Sequence, residues 1–272
     1  RKANNFTRKS IKEIIYRGPD DNSFAERNNI CLGSCRLSIN DLREVANMPM
    51  ISKCSRYILV FNGEIYNFKK LREDLRSDFE FKTNSDSEVV LNSFIKYRED
   101  CFDRFEGMFA LAIWDDHKKE LILARDRLGK KPLYYEIDKD KLFFCSEIKP
   151  LINNLKTKNI NENFLEEIAL FGEQSLTETA YKNILKIKPN TYSLITIKDS
   201  KISTLTKSYK KLNFKCPIKK NYKLSFREDL KESVKKRLIS DRPVAIALSG
   251  GVDSAAICKT VADLNEIKPP VF

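Results

Sequence analysis

Residues 244–248, Val-Ala-Ile-Ala-Leu, run directly into Ser249-Gly250-Gly251-Val252-Asp253-Ser254, and residues 254–264 follow with helical spacing. A run this short and wholly apolar predicts a strand buried on both faces, as in a parallel sheet. Parallel neighbours need crossover connections, so this strand–loop–helix unit opens an α/β domain. Paired glycines let backbone amides approach an anion, and the following helix brings the positive end of its dipole. The loop therefore predicts phosphate binding, set against the plainer reading of a glycine turn with a serine cap. Neither G-x-x-x-x-G-K-[ST] nor G-x-G-x-x-G occurs in the chain, so it is not one of the commoner phosphate loops.

The upstream residues carry a different pattern. Residues 6–16 predict a helix with Ile11, Ile14 and Ile15 on one face. Short β-like segments follow at 30–33, 57–61, 108–114, 121–124, 133–137 and 142–145, with residues 115–119 as a hairpin turn. Helices are predicted at 68–75 and 87–97, the second with Asp86 at its start. This makes residues 1–200 a mixed α+β domain of antiparallel strands. Residues 201–223 are lysine-rich without periodicity and read as a linker. Phe226, Leu230, Val234 and Leu238 then recur every fourth residue as an amphipathic helix, so 224–272 is the start of a second, parallel-sheet domain.

Composition excludes several function classes. The longest strongly apolar run, residues 108–114, is far short of the ~20 residues of a membrane span. The first residues lack an apolar segment and a small-residue cleavage site, so the expectation is a cytoplasmic chain with no membrane partner. Seven scattered cysteines do not form a disulfide framework. A single histidine excludes a histidine-rich metal centre, so no metal ligands are assigned and any catalysis must do without imidazole. The net charge of +12 comes from lysines spread among acidic residues rather than an arginine stripe with aromatics, which predicts no nucleic-acid partner.

Ser249–Ser254 resembles the pyrophosphate loop of the N-type ATP pyrophosphatases. The resemblance implies that Leu248, Ser249, Gly250, Gly251, Val252, Asp253 and Ser254 bind ATP, with Mg2+ arriving on the nucleotide. The chemistry it implies is cleavage of ATP between the α- and β-phosphates to adenylate a substrate.

Upstream, Arg17-Gly18-Pro19-Asp20, Arg36-Leu37-Ser38-Ile39, Asn62-Gly63-Glu64-Ile65-Tyr66-Asn67 and Ser85-Asp86-Ser87-Glu88 occur in that order. Phe105-Glu106-Gly107-Met108-Phe109-Ala110, a run from Arg125 through Tyr135, and Ser146-Glu147-Ile148-Lys149 complete the series. Taken singly, Asn62-Gly63 reads as a tight turn and Arg36 and Asp86 as ordinary ion-pair members. As an ordered set they resemble the class II glutamine amidotransferase domain of the glutamine-hydrolysing asparagine synthetase family. That resemblance implies an Ntn-type αββα sandwich followed by the truncated start of the ATP-pyrophosphatase domain. It assigns Asn62 and Gly63 as oxyanion donors, a role suited to a side-chain amide and a backbone N–H. It assigns Arg36 to the glutamine carboxylate, Asp86 to its ammonium, and Leu37, Ser38, Ile39, Asn40 and Glu64 to the pocket wall. Arg17 and Asp20 position the pocket; Arg125, Asp126 and the tyrosines beyond are structural.

The family's nucleophile is a cysteine at the mature N-terminus whose own amine is the base. Arg1-Lys2-Ala3 aligns with the family's first helix, so the expectation is that this sequence lacks that cysteine and is an internal piece of a longer protein. No internal cysteine carries a free amine. Ser34 stands where the family often has histidine, and Pro189-Asn190-Thr191 replaces its usual P-P-G-H. The implied reaction amidates aspartate with glutamine nitrogen at the expense of ATP, and a homodimer is the assembly it allows. The same half-reactions on another carboxylate such as a polysaccharide sugar acid, an RNA-modifying ATP pyrophosphatase, and a catalytically dead scaffold are the alternatives.

Overall fold

The computed structural model describes residues 2–172, 175–198, 201–211, 221–264 and 269–271. It divides into two compact units, Arg1–Ser38 with Arg43–Lys210, and Ile39–Leu42 with Lys211–Phe272.

In chain order the first unit runs α1 (Lys2–Ile14), β1 (Asp21–Arg27), β2 (Ile30–Arg36), β3 (Met50–Ile51), β4 (Tyr57–Ile65), α2 (Phe68–Leu75), α3 (Asp86–Tyr97) and α4 (Cys101–Arg104). It continues through β5 (Gly107–Asp115), β6 (Glu120–Arg125), β7 (Tyr134–Asp138), β8 (Lys141–Cys145), α5 (Ile148–Asn154), α6 (Glu162–Phe171), β9 (Ile184–Lys186), β10 (Thr191–Lys198) and β11 (Lys201–Ser208). One antiparallel sheet has the order β11-β10-β6-β5-β4-β3; the others are β8-β7-β9 and the β1-β2 ribbon.

Period-two alternation explains the layering. Ile58 and Val60 of β4, Ala110 and Ala112 of β5, and Leu121 and Leu123 of β6 face one way, onto Leu32 of β2, Leu133 just before β7, and Leu142 and Phe144 of β8. Tyr57 points the other way and meets Phe94 of α3 edge-on, with ring centroids 5.8 Å apart. Phe94, Phe102, Phe105 and Phe109 continue that aromatic layer, all nearly inaccessible to solvent. Each such side chain contributes about 1.5–3 kcal/mol by burial. On the far side of β7 and β8, Phe143, Cys145, Leu151 and Ile184 pack under Phe6 and Ile14 of α1 and Ile148 of α5. Helix, sheet, sheet and helix thus stack in the αββα order the resemblance implies.

The β5–β6 hairpin closes at residues 115–119 as the sequence predicts. Asp115 holds it: Arg56 donates to both carboxylate oxygens at 2.8 and 2.7 Å, and the His117 and Lys118 N–H groups donate to Oδ1. Burial opposes ionisation of Asp115, but these bonds outweigh it and bring its pKa down to about 2. His117 is exposed at the tip.

Several expectations need correction. Residues 201–208 are not linker; they form β11, paired along its whole length with β10. The helix over 6–16 tightens into a 3-10 turn at Ile15–Arg17, which turns Ile15 out to solvent. In the second unit, α7 (Tyr222–Arg237) and α8 (Val252–Leu264) pack with Val234 and Val261 buried, while Phe226 of the predicted stripe is exposed. Residues 244–248 are not buried on both faces, because the described residues supply one parallel bridge, Ile246 to Val271, and no full neighbouring strand. Among the described residues no helix is long and apolar enough to cross a membrane.

Candidate functional site

Asn62 and Gly63 lie inside β4, paired with Ala110 and Phe109, so the tight-turn reading of this dipeptide fails. Two bonds fix the phase of the ladder: Asp116 N–H to Arg56 O, and Tyr66 N–H to Glu106 O. Even-numbered residues of β4 therefore bond to β5, and odd-numbered N–H groups point away from it. Tyr57 N–H accordingly reaches Ser52 Oγ, and Ile65 N–H reaches Asp86 Oδ2 at 2.9 Å. Gly63 shares that phase, and its N–H aims past the end of β3, which pairs only with Ile58 and Leu59. A Cβ on Gly63 would sit 2.3 Å from Met108 O. The close approach that demands glycine here is thus that of β5.

Asp86 opens α3 and is 4% exposed. Burial pushes its carboxyl up to about 6, against the bonds from Ile65 N–H and Ser85 Oγ that favour ionisation. The rest of Ser85-Asp86-Ser87-Glu88 builds the support. Ser85 caps the helix by accepting from Ser87 N–H. Glu88 accepts from Thr83 N–H and Thr83 Oγ1, both at 2.7 Å, and from Lys82 N–H. Arg72 of α2 donates to the Thr83 and Ser85 carbonyls.

Arg36 ends β2, which packs against β4, and is 6% exposed. Its Nη1 donates to Asn47 Oδ1 at 2.6 Å and to Arg43 O at 3.2 Å. The Arg17–Asp20 turn lies against this strand: a Cβ on Gly18 would be 2.5 Å from the Cys35 carbonyl, and Asp20 N–H donates to Arg36 O. Asp20 Oδ2 accepts from Ser38 N–H at 2.8 Å, while Arg17 pairs with Glu147. Leu37 is exposed, and Ile39 and Asn40 belong to the segment grouped with the second unit. The structure therefore brings Asn62, Gly63, Glu64 and Asp86 together at the end of β4, while Arg36 closes β2, a strand that packs against β4, and Ser38 lies just beyond it.

Other polar groups in the motifs act on the backbone. Buried Asp126 accepts from the N–H groups of Phe109, Leu128, Lys130 and Lys131. Arg125 donates to the carbonyls of Lys131, Ile187 and Gly129. Ser146 receives Asn62 Nδ2 at 3.4 Å. Neither Ser146 nor Glu147 has a role readable in the sequence, because their partners lie 84 and 130 residues away. Burial pushes the thiols of Cys31, Cys35 and Cys101 up and that of Cys145 to about 11. These thiols stay protonated at neutral pH and are poor nucleophiles.

In the second unit the glycine loop leads into α8, which begins at Val252, inside the motif. Gly250 has φ +81°, a conformation that glycine adopts without strain. No atom lies within 4 Å of a Cβ built on it, so its backbone faces open space. The Ser249 and Ser254 hydroxyls are 3.1 Å apart across the loop, and Ser254 Oγ donates to Gly251 O. Asp253 stands in the first turn of α8 and Leu248 is exposed before it. The open backbone at a helix start fits a bound pyrophosphate. Among the described residues no group of three His, Cys, Asp or Glu side chains could hold a metal ion.

Comparison with known proteins gives two family matches: glutamine amidotransferase domain over residues 1–210, and asparagine synthase over residues 225–271. Asparagine synthetase [glutamine-hydrolyzing] 1 of Bacillus subtilis (strain 168) is 34% identical, over 93% of this chain and 40% of its own length. Putative asparagine synthetase [glutamine-hydrolyzing] 2 of Methanocaldococcus jannaschii is 32% identical, over 95% of this chain and 54% of its own. Amidase chry2 of Gibberella zeae is 30% identical, over 94% and 38%. The chain thus spans roughly half or less of the length of these curated relatives.

Proposed function

Since the chain belongs to the glutamine amidotransferase domain family, and its last residues match asparagine synthase, we propose that it is part of an ATP-dependent amidoligase that draws its nitrogen from glutamine. The first unit hydrolyses glutamine to glutamate and ammonia. The second binds ATP, whose α-phosphate is attacked by an acceptor carboxylate to give an acyl adenylate and pyrophosphate. Ammonia then displaces AMP to form the amide. Aspartate is the acceptor we assign, after the names of the relatives, which makes the product asparagine.

The observation that carries this reading is the edge of β4. Gly63 and Ile65 present N–H groups in the same direction, about 7 Å apart along the strand. Asp86 is bonded to the second of them. That span is comparable with an extended glutamine from ammonium to side-chain amide. The ammonium would pair with Asp86 while the amide carbonyl faces Gly63 N–H, with Asn62 as the second donor. As the carbonyl becomes tetrahedral its oxygen gains charge, and donors held by a strand need no reorganisation to meet it. Arg36 would take the α-carboxylate; a guanidinium forks onto two oxygens as an ammonium cannot. The attacking thiolate would be the one the family takes from a cysteine at its mature N-terminus, with that residue's own amine as base. Magnesium is carried in on the phosphates of ATP, with Asp253 the carboxylate the loop itself offers.

The test uses the full-length protein carrying Arg36→Ala. Glutamine-driven amide synthesis falls by about tenfold to a hundredfold, as expected for loss of a charge-assisted pair, and ammonia-driven synthesis is unchanged. An equal fall with both nitrogen sources overturns the assignment of the glutamine pocket.

A further inference from the structure

Asn62 carries a demanding role in the reading above, because a side-chain amide rotates where a backbone N–H cannot. Its surroundings show what stops the rotation. Along β4 the residues facing the opposing strands are Ile58, Val60 and then, two further on, Asn62. Along β8 they are Leu142 and Phe144, and continuing the alternation the next is Ser146. Cys145 between them points into the other core, with Phe143 and Leu151. The apolar layer between the sheets therefore ends in a polar pair, Asn62 from one sheet and Ser146 from the other, with Asn62 Nδ2 donating to Ser146 Oγ.

Glu147, the next residue, occupies the N-cap position of α5, yet its side chain accepts no bond from that helix. Its carboxylate goes to Arg17 instead, with both side chains about one-third exposed or less. Arg17 opens the turn whose Asp20 accepts from Ser38 N–H and whose backbone bonds to Arg36 O. One dipeptide thus reaches two parts of the pocket, the oxyanion donor through Ser146 and the carboxylate-binding strand end through Glu147.

Resting on the glutaminase reading, we propose that Ser146 and Glu147 are the positioning residues of this site, with separable effects. Ser146 keeps the Asn62 amide turned so that Nδ2 faces the reacting carbonyl, a contact that matters only once the oxyanion forms. Glu147 anchors Arg17, and through the Asp20 turn keeps Arg36 and Ser38 where the ground-state carboxylate binds. An interaction made only in the transition state appears in kcat, whereas one made equally in the ground state appears in KM.

The experiment measures glutamine hydrolysis and ammonia-driven synthesis by the full-length protein carrying Ser146→Ala, Ser146→Thr, Glu147→Gln or Glu147→Ala. Ser146→Ala lowers kcat for glutamine by about tenfold with KM little changed, less than the cost of deleting an oxyanion donor outright. Ser146→Thr, which keeps the hydroxyl, restores most of it. Glu147→Ala and Glu147→Gln raise KM for glutamine by about tenfold with kcat largely kept, on the scale of a charge-assisted hydrogen bond. Ammonia-driven turnover and the thermal midpoint stay level in all four. The proposal is overturned if Ser146→Ala leaves kcat intact, or if its loss is matched by equal losses in ammonia-driven turnover and stability. Asn62→Ala separates the two levels: if it too spares glutamine hydrolysis, the glutaminase reading fails, and if it alone abolishes hydrolysis, only the positioning role fails.

Discussion

At the scale of single residues, Asp86 shows how burial and function pull against each other. Its carboxyl is pushed up to about 6 because water is excluded, even with Ile65 N–H and Ser85 Oγ bonded to it. The folded chain therefore holds this proton more tightly than the unfolded chain does. Its contribution to stability without glutamine is best below about pH 4 and declines as pH rises through 6, by a few kcal/mol. In the proposed pocket substrate reverses the sense, since only an ionised carboxylate pairs with an ammonium. KM for glutamine should rise steeply as pH falls from 7 to 5, with a midpoint near 6 in the free enzyme, while ammonia-driven turnover does not follow that profile. A flat KM over this range would remove Asp86 from the pocket. Asn62, Gly63, Arg36 and Asp86 can be proposed from the sequence because each sits in a short motif and the motifs keep a fixed order. Ser146 and Glu147 also sit in a motif of that series, but their partners cannot be read from it, since a hydrogen bond across 84 residues leaves no local signature.

At the scale of elements, the legible parts are those whose own residues account for their burial. The apolar stretch within β5 and the stretch within β6 announce a hairpin, and Asp115 supplies its turn. By contrast β1 reads Asp-Asn-Ser-Phe-Ala-Glu-Arg and β11 reads Lys-Ile-Ser-Thr-Leu-Thr-Lys-Ser, polar runs that become strands by pairing with β2 and β10. Tertiary pairing overrides weak propensity at such edges. Residues 244–248 fail in the opposite direction, with strong propensity and one bridging partner among the described residues. The loop after β6 gives a test at this scale. Asp126 gathers four backbone N–H groups, so Asp126→Ala leaves them without their acceptor. The variant should lose about 2–4 kcal/mol in denaturant unfolding. Amide exchange should quicken first across residues 127–131. Unchanged exchange there would mean the carboxylate does not organise the loop.

At the scale of the whole molecule, the proposed function gives one half-reaction to the amidotransferase-like residues of the first unit and the other to the glycine loop of the second, and that division is itself testable. Asp253 lies in the first turn of α8 at the glycine loop, remote in sequence from every residue assigned to glutamine. In the full-length protein Asp253→Ala should abolish ATP–pyrophosphate exchange and leave the release of glutamate from glutamine measurable. Loss of both together would contradict the assignment of ATP to the loop. Whether glutamine nitrogen reaches a carboxylate activated by ATP is decided by one isotope measurement. Full-length protein is supplied with glutamine labelled with nitrogen-15 at the amide, ATP with magnesium, and aspartate. Labelled asparagine, AMP and pyrophosphate are expected in equal amounts, with at least as much glutamate. Glutamate with no pyrophosphate, or ADP and phosphate in place of AMP and pyrophosphate, would contradict the proposed function.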